Sequence, residues 1–434
     1  MGNKKVHIIT LGFALFAMFF GAGNLILPPY IGVNVGAEWV WAIIGFVTTG
    51  IIAPFFGLLA VTKNGLNFTD LGDRTHPLII MVLAFVIMWS IGPLVAIPRT
   101  GATTYEMAML PFFPSLSSTI GAVIFFTITF ILSVSPAKIV DIIGKYLTPF
   151  LVILLITLIV LGILSPVAEP NDVNISALNS FQWGFDEGYQ TLDVLASVVF
   201  AGIIISAAID KGYHTTVARE KVVIQSGIVA VTSLLLIYGG LIYLGATSGY
   251  SMEEASQRTV LFMNISHNIL GGYASYIVSV AIALACLTTA IALTTAFGSF
   301  MTHLFKNKIP YVVHVLICCL LSVYFSIKGV DEIITYAGGL LNFVYPITFA
   351  LILTLLLFGK KVKQRSPYIG AIIASACVAF LSVGEQLSSN KSIWQNMRAF
   401  LPLSSHNLEW LIPSLMVFGI LALISRKEVM KANH

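Results

Sequence analysis

The stretch FFGAGNLILPP, at 19–29, interrupts the first long apolar run of the chain. Gly21 and Gly23 weaken a helical hydrogen-bond ladder, and Pro28 and Pro29 lack the N–H donor. Backbone left unpaired at membrane depth must line a polar cavity or be buried in protein. Free N–H groups at the start of a half-helix favour an anion, whereas free carbonyls at the end of another suit a cation. The pattern predicts a site for a ligand with a carboxylate and an ammonium group, together with a metal cation.

A second apolar run, DVLASVVFAGIIISAAIDKGY at 193–213, has Phe200-Ala201-Gly202 at its centre, as the first run has Phe20-Gly21-Ala22-Gly23. We predict a second helix break there. The alternative is that the glycines are notches for close helix packing and that the prolines only end a span. The asparagine beside the first glycines and the second, similar motif favour the breaks.

The elements that position these residues are membrane-spanning helices. Of the 434 residues, 57% are apolar and 10% are charged, against about 45–50% and about 25% in soluble domains. The apolar residues fall into blocks of roughly 20, the length that crosses a bilayer. We predict an all-α polytopic membrane protein with twelve transmembrane helices, at 7–30, 39–62, 78–98, 119–135, 146–164, 191–209, 222–246, 273–300, 310–327, 332–358, 368–384 and 409–425.

Charge placement predicts the orientation. With a cytoplasmic N-terminus, 18 of the 23 Lys and Arg residues lie in inside loops, with KKVKQR at 360–365 as the strongest anchor. The positive-inside rule then places both termini in the cytoplasm. Topology explains the basic run, so no nucleic-acid partner is expected, and no removable signal, disulfide, zinc site or organic cofactor is indicated.

The two predicted breaks are five spans apart. Because five is odd, a second five-helix unit must cross the membrane upside down relative to the first. We therefore predict one transporter domain over 1–425 and a cytoplasmic tail at 426–434. Its parts are two inverted repeats, 7–164 and 191–358, and two additional helices at 368–425.

The motifs FALFAMFFGAGNLILPP, AEWVWAIIGF, GPLVAIPRTGATTYE and GYQTLDVLAS resemble the branched-chain amino acid–cation symporter family, over about residues 8–425. The resemblance implies a LeuT-type five-plus-five inverted repeat with helices 1 and 6 broken. It also implies import of leucine, isoleucine and valine with a cation, usually sodium, across the bacterial plasma membrane.

The same resemblance implies an ion site. Ala285 would supply a carbonyl, Thr288 and Thr289 hydroxyls, and Ala17 and Phe20 partner carbonyls, which are the hard oxygen ligands that sodium needs. Back-bonding to the helix is the ordinary role of a membrane threonine. The first threonine pair is favoured over Thr294-Thr295, which lies nearer the cytoplasmic end.

The substrate site follows from the two breaks. Backbone N–H groups of Ala22 and Gly23 would bind the carboxylate, and carbonyls near Phe19 and Val199-Phe200 the ammonium. Asn24 would either join a second sodium or cap the second half-helix. The full predicted substrate set is Phe19, Gly21, Ala22, Gly23, Asn24, Trp89, Val199, Phe200, Gly202 and Ile282, with Ile91 and Gly92 as further pocket candidates.

Three charged residues fall near predicted outer span ends: Arg99, Glu106 and Asp193. Snorkelling explains such residues in general. Arg99 is predicted to act at an outer gate or to pair with Glu106. The histidines are scattered, and no carboxylate is expected at the midplane of a span, which favours sodium over proton coupling.

Other functional classes lack their signatures. An enzyme would need converging nucleophile, base or metal ligands, a channel a pore ring or filter, and a primary pump an ATP-binding domain. The alternatives within secondary transport are a LeuT-type carrier for another small neutral amino acid or a nucleobase, or proton coupling. No obligate protein partner is indicated; the expected partners are the three amino acids and the lipid bilayer.

Overall fold

The computed structural model describes residues 2–21, 23–134, 138–253, 257–388, 391–404 and 407–432, and their regular structure is helical. The helices before residue 190 are α1 Gly2–Phe19, α2 Gly23–Val35, α3 Trp39–Val47, α4 Ala53–Asn64, α5 Pro77–Trp89, α6 Ala96–Thr104, α7 Ser118–Val134, α8 Lys138–Leu164 and α9 Ala177–Tyr189. Those after it are α10 Asp193–Asp210, α11 Thr216–Ala246, α12 Arg258–Leu270, α13 Gly272–Leu304, α14 Tyr311–Ser326, α15 Val330–Phe358, α16 Ser366–Leu387, α17 Lys391–Ala399 and α18 Leu411–Ala432.

Many of these helices can cross a bilayer, as the apolar blocks of the sequence predict. Seven described stretches are long and apolar enough to do so: Gly23–Asn64, Pro77–Met109, Asp193–Asp210, Thr216–Ala246, Tyr276–Leu304, Val330–Phe358 and Ser366–Gln386. Shorter apolar helices are Ser118–Val134, Pro149–Leu164, Tyr311–Ser326 and Leu411–Arg426. The chain is therefore an all-helical, multi-pass membrane protein.

The helix pair α5–α6 is kinked where Pro93 follows Gly92. The residue before a proline avoids the helical region, and Gly92 accordingly has φ −87° and ψ −124°. The kink redirects α6, which carries Arg99 at its fourth position. It thereby sets the direction from which this charge enters the bundle.

Close packing surrounds the interrupted helices. α2 lies against α11, and α10 against α4 and α1. A Cβ at Gly32 would meet the carbonyl oxygen of Ile242, and one at Gly245 that of Pro29, so the α2 and α11 backbones touch directly. Small residues allow such contact between membrane helices.

The predicted break at Ala201-Gly202 is wrong. Helix α10 runs without interruption from Asp193 to Asp210. A single glycine costs a helix only about 1 kcal/mol, and the packing of buried Phe200 and Ala201 outweighs that cost. The interruption in this part of the chain lies at 190–192, between α9 and α10.

At one end of the bundle, Arg258 of α12 joins three other helices. Its Nη1 donates to Asp331 Oδ1 at 2.6 Å and its Nη2 to Glu187 Oε1 at 3.1 Å. Its guanidinium carbon also lies 4.0 Å from the centroid of the Tyr30 ring. These contacts link α15, α9 and α2 above the interrupted segments.

Candidate functional site

The first interruption separates α1 from α2. The N–H of Gly21 donates to the Phe19 carbonyl at 3.0 Å, and the N–H of Asn24 donates to the Gly21 carbonyl at 3.1 Å. Gly21 therefore forms a tight turn in place of the helical bond to Ala17. The carbonyl of Ala17, which is predicted to bind an ion, is thus released from its helical partner.

The second interruption, at 190–192, contains no glycine. Leu192 adopts the left-handed conformation with φ 66°, which is unusual for a residue with a branched side chain. Turn-like bonds connect the segment to α9, since Gln190, Thr191 and Leu192 each donate three residues back. Leu192 is buried, so the strained conformation lies inside the bundle.

Arg99 connects the two interruptions. Its Nη1 donates to the Gln190 carbonyl at 2.6 Å and its Nη2 to the Thr191 carbonyl at 3.4 Å. A Cβ at Gly23 would lie 2.5 Å from Nη2, so the guanidinium packs directly on the start of α2. Arg99 is only 3% exposed, and it does not snorkel to a surface.

The predicted pairing of Arg99 with Glu106 is wrong. Glu106 accepts from the Thr259 hydroxyl at 2.6 Å and from the Val330 N–H at 2.9 Å. It therefore joins α12 to the N-terminus of α15. The backbone carbonyls at 190 and 191 take the place that the sequence analysis gave to Glu106.

Asn24 joins the first interruption to α10 and α11. Its side-chain nitrogen lies within hydrogen-bond distance of three acceptors, the Phe19 carbonyl at 2.5 Å, Asp193 Oδ2 at 2.8 Å and the Tyr238 hydroxyl at 2.6 Å, which share its two N–H hydrogens. Asn24, Asp193 and Tyr238 are all buried. Asn24 thus binds across helices, whereas the sequence suggested a cap or an ion ligand.

A cavity of about 40 Å³ lies between the two interruptions. Its walls come from the end of α1, the start of α2, the kinked α5–α6 pair, the start of α10 and the middle of α13. The residues are Met18, Phe19, Gly21, Gly23, Asn24, Ile91, Ala96, Arg99, Thr100, Thr191, Leu192, Asp193, Ala196, Phe200, Thr289 and Leu293. We call this the central cavity.

The central cavity gathers part of the predicted substrate set: Phe19, Gly21, Gly23, Asn24 and Phe200, with the pocket candidate Ile91. The other members lie elsewhere. Trp89 packs edge-on against Phe297 with ring centroids 5.6 Å apart, and Ile282 is buried in the core. Val199 and Gly202 are outside the cavity walls, and Ala22 lies outside the described residues.

One of the predicted ion residues reaches the central cavity. Thr289 lines the cavity, and its Cγ2 would lie 3.9 Å from a Cβ at Gly21. The Thr288 hydroxyl donates to the Ala285 carbonyl at 2.8 Å, which uses its hydrogen and leaves its oxygen lone pairs for a ligand. The Phe20 ring stacks between Phe16 and Tyr238. Hydroxyls and released carbonyls of this kind fit a sodium ion chemically.

The sequence analysis missed Asp193 as a cavity residue, as well as Thr100, Thr191 and Leu293. Asp193 is 5% exposed, not a snorkelling residue at a span end. The signal was present: it stands next to an apolar block, and ionisable residues inside a membrane are functional by default. Its role was hidden because the predicted break, at 201–202, lies about ten residues after the observed interruption at 190–192.

A second cavity of about 240 Å³, the outer cavity, lies between α9, α15, α16, α17 and the segment that precedes α18. Arg398 stands at its edge, with Nη1 2.6 Å from Glu385 Oε2 and Nη2 2.8 Å from Glu409 Oε1. The aromatic residues Tyr189, Tyr345 and Trp410 form part of its wall. In this cavity Arg398 and Glu409 pair with each other, whereas Arg99 and Asp193 of the central cavity, both described, form no ion pair with each other.

The fold of the chain is shared by solved structures. Two solved structures share the fold over nearly the whole chain: inward-facing Mhp1 has a TM-score of 0.66 and 13% identity, covering 97% of this chain and 91% of its own. MhsT in complex with L-phenylalanine has a TM-score of 0.51 and 17% identity, covering 95% and 98%. The fold of the chain is therefore LeuT-like, as the sequence resemblance implies.

The chain belongs to the branched-chain amino acid transport protein family, whose profile matches residues 4–428. It is 34% identical to the branched-chain amino acid permease BraB of Bacillus subtilis, covering 94% of this chain and 93% of BraB. It is 32% identical to a putative branched-chain amino acid carrier of Staphylococcus saprophyticus, covering 99% and 98%. The protein is a transporter and not an enzyme.

Proposed function

We propose that the protein imports leucine, isoleucine and valine with sodium across the bacterial plasma membrane by alternating access. Twelve spans with both termini in the cytoplasm agree with the placement of Lys and Arg. The second inverted repeat then begins with α9, because α9 and α10 flank the interruption at 190–192 as α1 and α2 flank the first. The helices after α15, of which α16 and α18 are the two additional spans, lie outside the repeats.

The observation that carries this proposal is the central cavity between the two interruptions. Phe19, Ile91, Phe200 and Leu293 offer apolar surface to a branched side chain. Released backbone groups and buried polar side chains surround the same space. With a volume of about 40 Å³, the cavity holds only a few waters at ~10–15 Å³ each, so an amino acid enters only if its walls move.

Sodium coupling is supported by the set of oxygen ligands that the family resemblance implies, Ala17, Phe20, Ala285, Thr288 and Thr289, of which Thr289 lines the cavity. A cation held between α1 and α13 would favour one arrangement of these helices and so raise substrate affinity. Replacing Thr288 or Thr289 by alanine is expected to weaken sodium stimulation of uptake. Unchanged sodium dependence in both variants would remove the ion assignment.

Proton coupling is a second candidate because Asp193 is buried at the central cavity. The sequence analysis favoured sodium partly because no carboxylate was expected at this depth. A buried carboxylate between two helix interruptions is a chemically reasonable proton carrier.

Uptake of labelled leucine into vesicles under imposed ion gradients separates these candidates. We expect an inward sodium gradient to drive accumulation at constant pH, and isoleucine and valine to compete. Alanine, uracil and lysine should not compete. Accumulation driven by a pH gradient without sodium would favour the proton carrier, and no leucine uptake under either gradient would refute the proposed substrate.

A further inference from the structure

Two opposite charges face the central cavity. Arg99 on α6 and Asp193 on α10 are 3% and 5% exposed, and both line its wall. Although both belong to the described part of the chain, they form no ion pair with each other. Buried charges without a direct counter-charge are costly, so a ligand that joins them would remove an electrostatic penalty.

Arg99 has hydrogen-bond donors to spare. A guanidinium carries about five N–H donors in a planar fork, and the bonds to the Gln190 and Thr191 carbonyls account for two of them. These bonds also fix the plane of the group against Gly23. A fixed, planar guanidinium is well suited to bind a carboxylate through two parallel hydrogen bonds.

Asp193 is held in place in a comparable way. Its Oδ2 accepts from the Asn24 amide at 2.8 Å, which anchors the carboxylate at the start of α10. A carboxylate has about four acceptor positions, so this bond leaves capacity for a further donor. An ammonium group supplies both the donors and the positive charge.

We propose that Arg99 binds the α-carboxylate and Asp193 the α-ammonium of the transported amino acid, with the side chain against Phe19, Ile91, Phe200 and Leu293. This assignment rests on the proposed function. It replaces the backbone N–H groups of 22 and 23, which the sequence analysis gave to the carboxylate, by a side chain on a different helix.

The test measures binding to the purified full chain of leucine and two analogues, each lacking one charged group. 4-Methylpentanoate lacks the ammonium and 3-methylbutylamine lacks the carboxylate. The variants are Asp193→Asn and Arg99→Gln, and the matched controls are Asp210→Asn, at the exposed far end of α10, and Arg365→Gln, which is also exposed. All variants are compared for thermal unfolding before binding is measured.

We expect Asp193→Asn to weaken the binding of leucine by about 30-fold or more. The binding of 4-methylpentanoate should weaken by less than about threefold, because this analogue has no ammonium group to contact residue 193. Arg99→Gln should weaken the binding of leucine by a similar factor, and the binding of 3-methylbutylamine by less than about threefold. Arg99→Lys keeps the charge without the fork and should recover part of the loss. Both control variants should bind like the wild type.

Equal losses for all three ligands in either variant would overturn the assignment. Full recovery of leucine binding to Asp193→Asn at high sodium would also overturn it, since Asp193 would then hold the cation. The wild type reports separately on the proposed function. If the wild type binds leucine but a variant loses affinity equally for leucine and both analogues, only this inference fails. If the wild type binds no branched-chain amino acid, the proposed function itself fails.

Discussion

The two interruptions of the bundle have different origins. The first lies between Phe19 and Gly23, contains Gly21, and closes with a tight turn from Gly21 to Phe19. The second, at 190–192, has no glycine and places Leu192 at φ 66°. The first interruption is encoded by residues that weaken a helix locally, whereas the residues of the second interruption include no such helix breaker.

Tertiary contacts account for the second interruption. Arg99 takes the carbonyls of Gln190 and Thr191, and the Tyr345 hydroxyl donates to the Tyr189 carbonyl at 2.6 Å. These bonds satisfy carbonyl groups that are left open after the end of α9. The difference between the two interruptions teaches that buried side chains of other helices can stabilise a break that the local sequence does not encode.

Leucine uptake is expected to be most sensitive to substitution of Asn24, whose side chain links the first interruption to the start of α10. Replacing Asn24 by leucine removes the amide donor from the Asp193 carboxylate and from the Tyr238 hydroxyl, whereas the Phe19 carbonyl keeps the Gly21 N–H. Each buried group left unsatisfied costs about 1–3 kcal/mol, so leucine uptake should fall at least about 30-fold. Initial rates in vesicles, normalised to inserted protein, measure this loss.

Asn34 on the same helix provides the control. It is buried, but its bond to the Tyr30 carbonyl stays within α2 and its Oδ1 has no partner among the described residues. Asn34→Leu should therefore change uptake much less than Asn24→Leu. Equal losses would show that α2 tolerates no such change and that the link across helices is not special.

The two glycines of the first interruption, Gly21 and Gly23, should differ in how strongly their substitution affects leucine affinity. A methyl group at Gly23 would lie against the Arg99 guanidinium, whereas one at Gly21 would meet only Thr289 Cγ2 at 3.9 Å. We expect Gly23→Ala to lower leucine affinity at least about tenfold and Gly21→Ala by less, and Gly23→Val to abolish transport while the protein still inserts.

Gly419 lies in open space in α18, so Gly419→Ala should leave affinity unchanged. Equilibrium binding of labelled leucine to the purified proteins measures the effects of the three alanine substitutions. If Gly23→Val transports normally, the first interruption is only a packing notch.

Leucine binding should also depend on the hydrogen bond from Tyr345 that supports the second interruption. Tyr345→Phe removes one hydrogen bond to the end of α9, worth about 1 kcal/mol, and should weaken leucine binding about fivefold. The comparison is Tyr311→Phe, which removes a bond to the Ser133 carbonyl, of 3.0 Å, between α14 and α7. A larger effect in Tyr311→Phe would contradict a special role for the bond at Tyr345.

The smallest effect is expected at the site where a break was predicted. A Cβ at Gly202 would press on the Asn67 side chain, which caps the helical turn that begins at Phe68. Because α10 is continuous there, Gly202→Ala should reduce uptake only about twofold, through loss of about one cap. A loss of tenfold or more in normally folded protein would restore Gly202 as a hinge.

The sequence predicted the parts of the fold that are encoded locally. Apolar length identified most of the long helices, and glycine with asparagine located the first interruption. Leu192 gave no such signal, because its conformation is imposed by contacts from Arg99 and Tyr345. Nor could spacing alone bring Arg99 to Gln190, since the kink at Gly92 and Pro93 decides where α6 points.

The central claim is that the substrate binds in the central cavity rather than in the outer cavity. A single cysteine at Ala96, in the wall of the central cavity, or at Ala379, in the wall of the outer one, tests it in a chain whose four natural cysteines have been replaced. The rate of alkylation is measured with and without leucine at ten times the Kd of each variant. The account predicts that leucine slows labelling at position 96 by about tenfold and leaves position 379 unchanged; protection at 379 with none at 96 would contradict it.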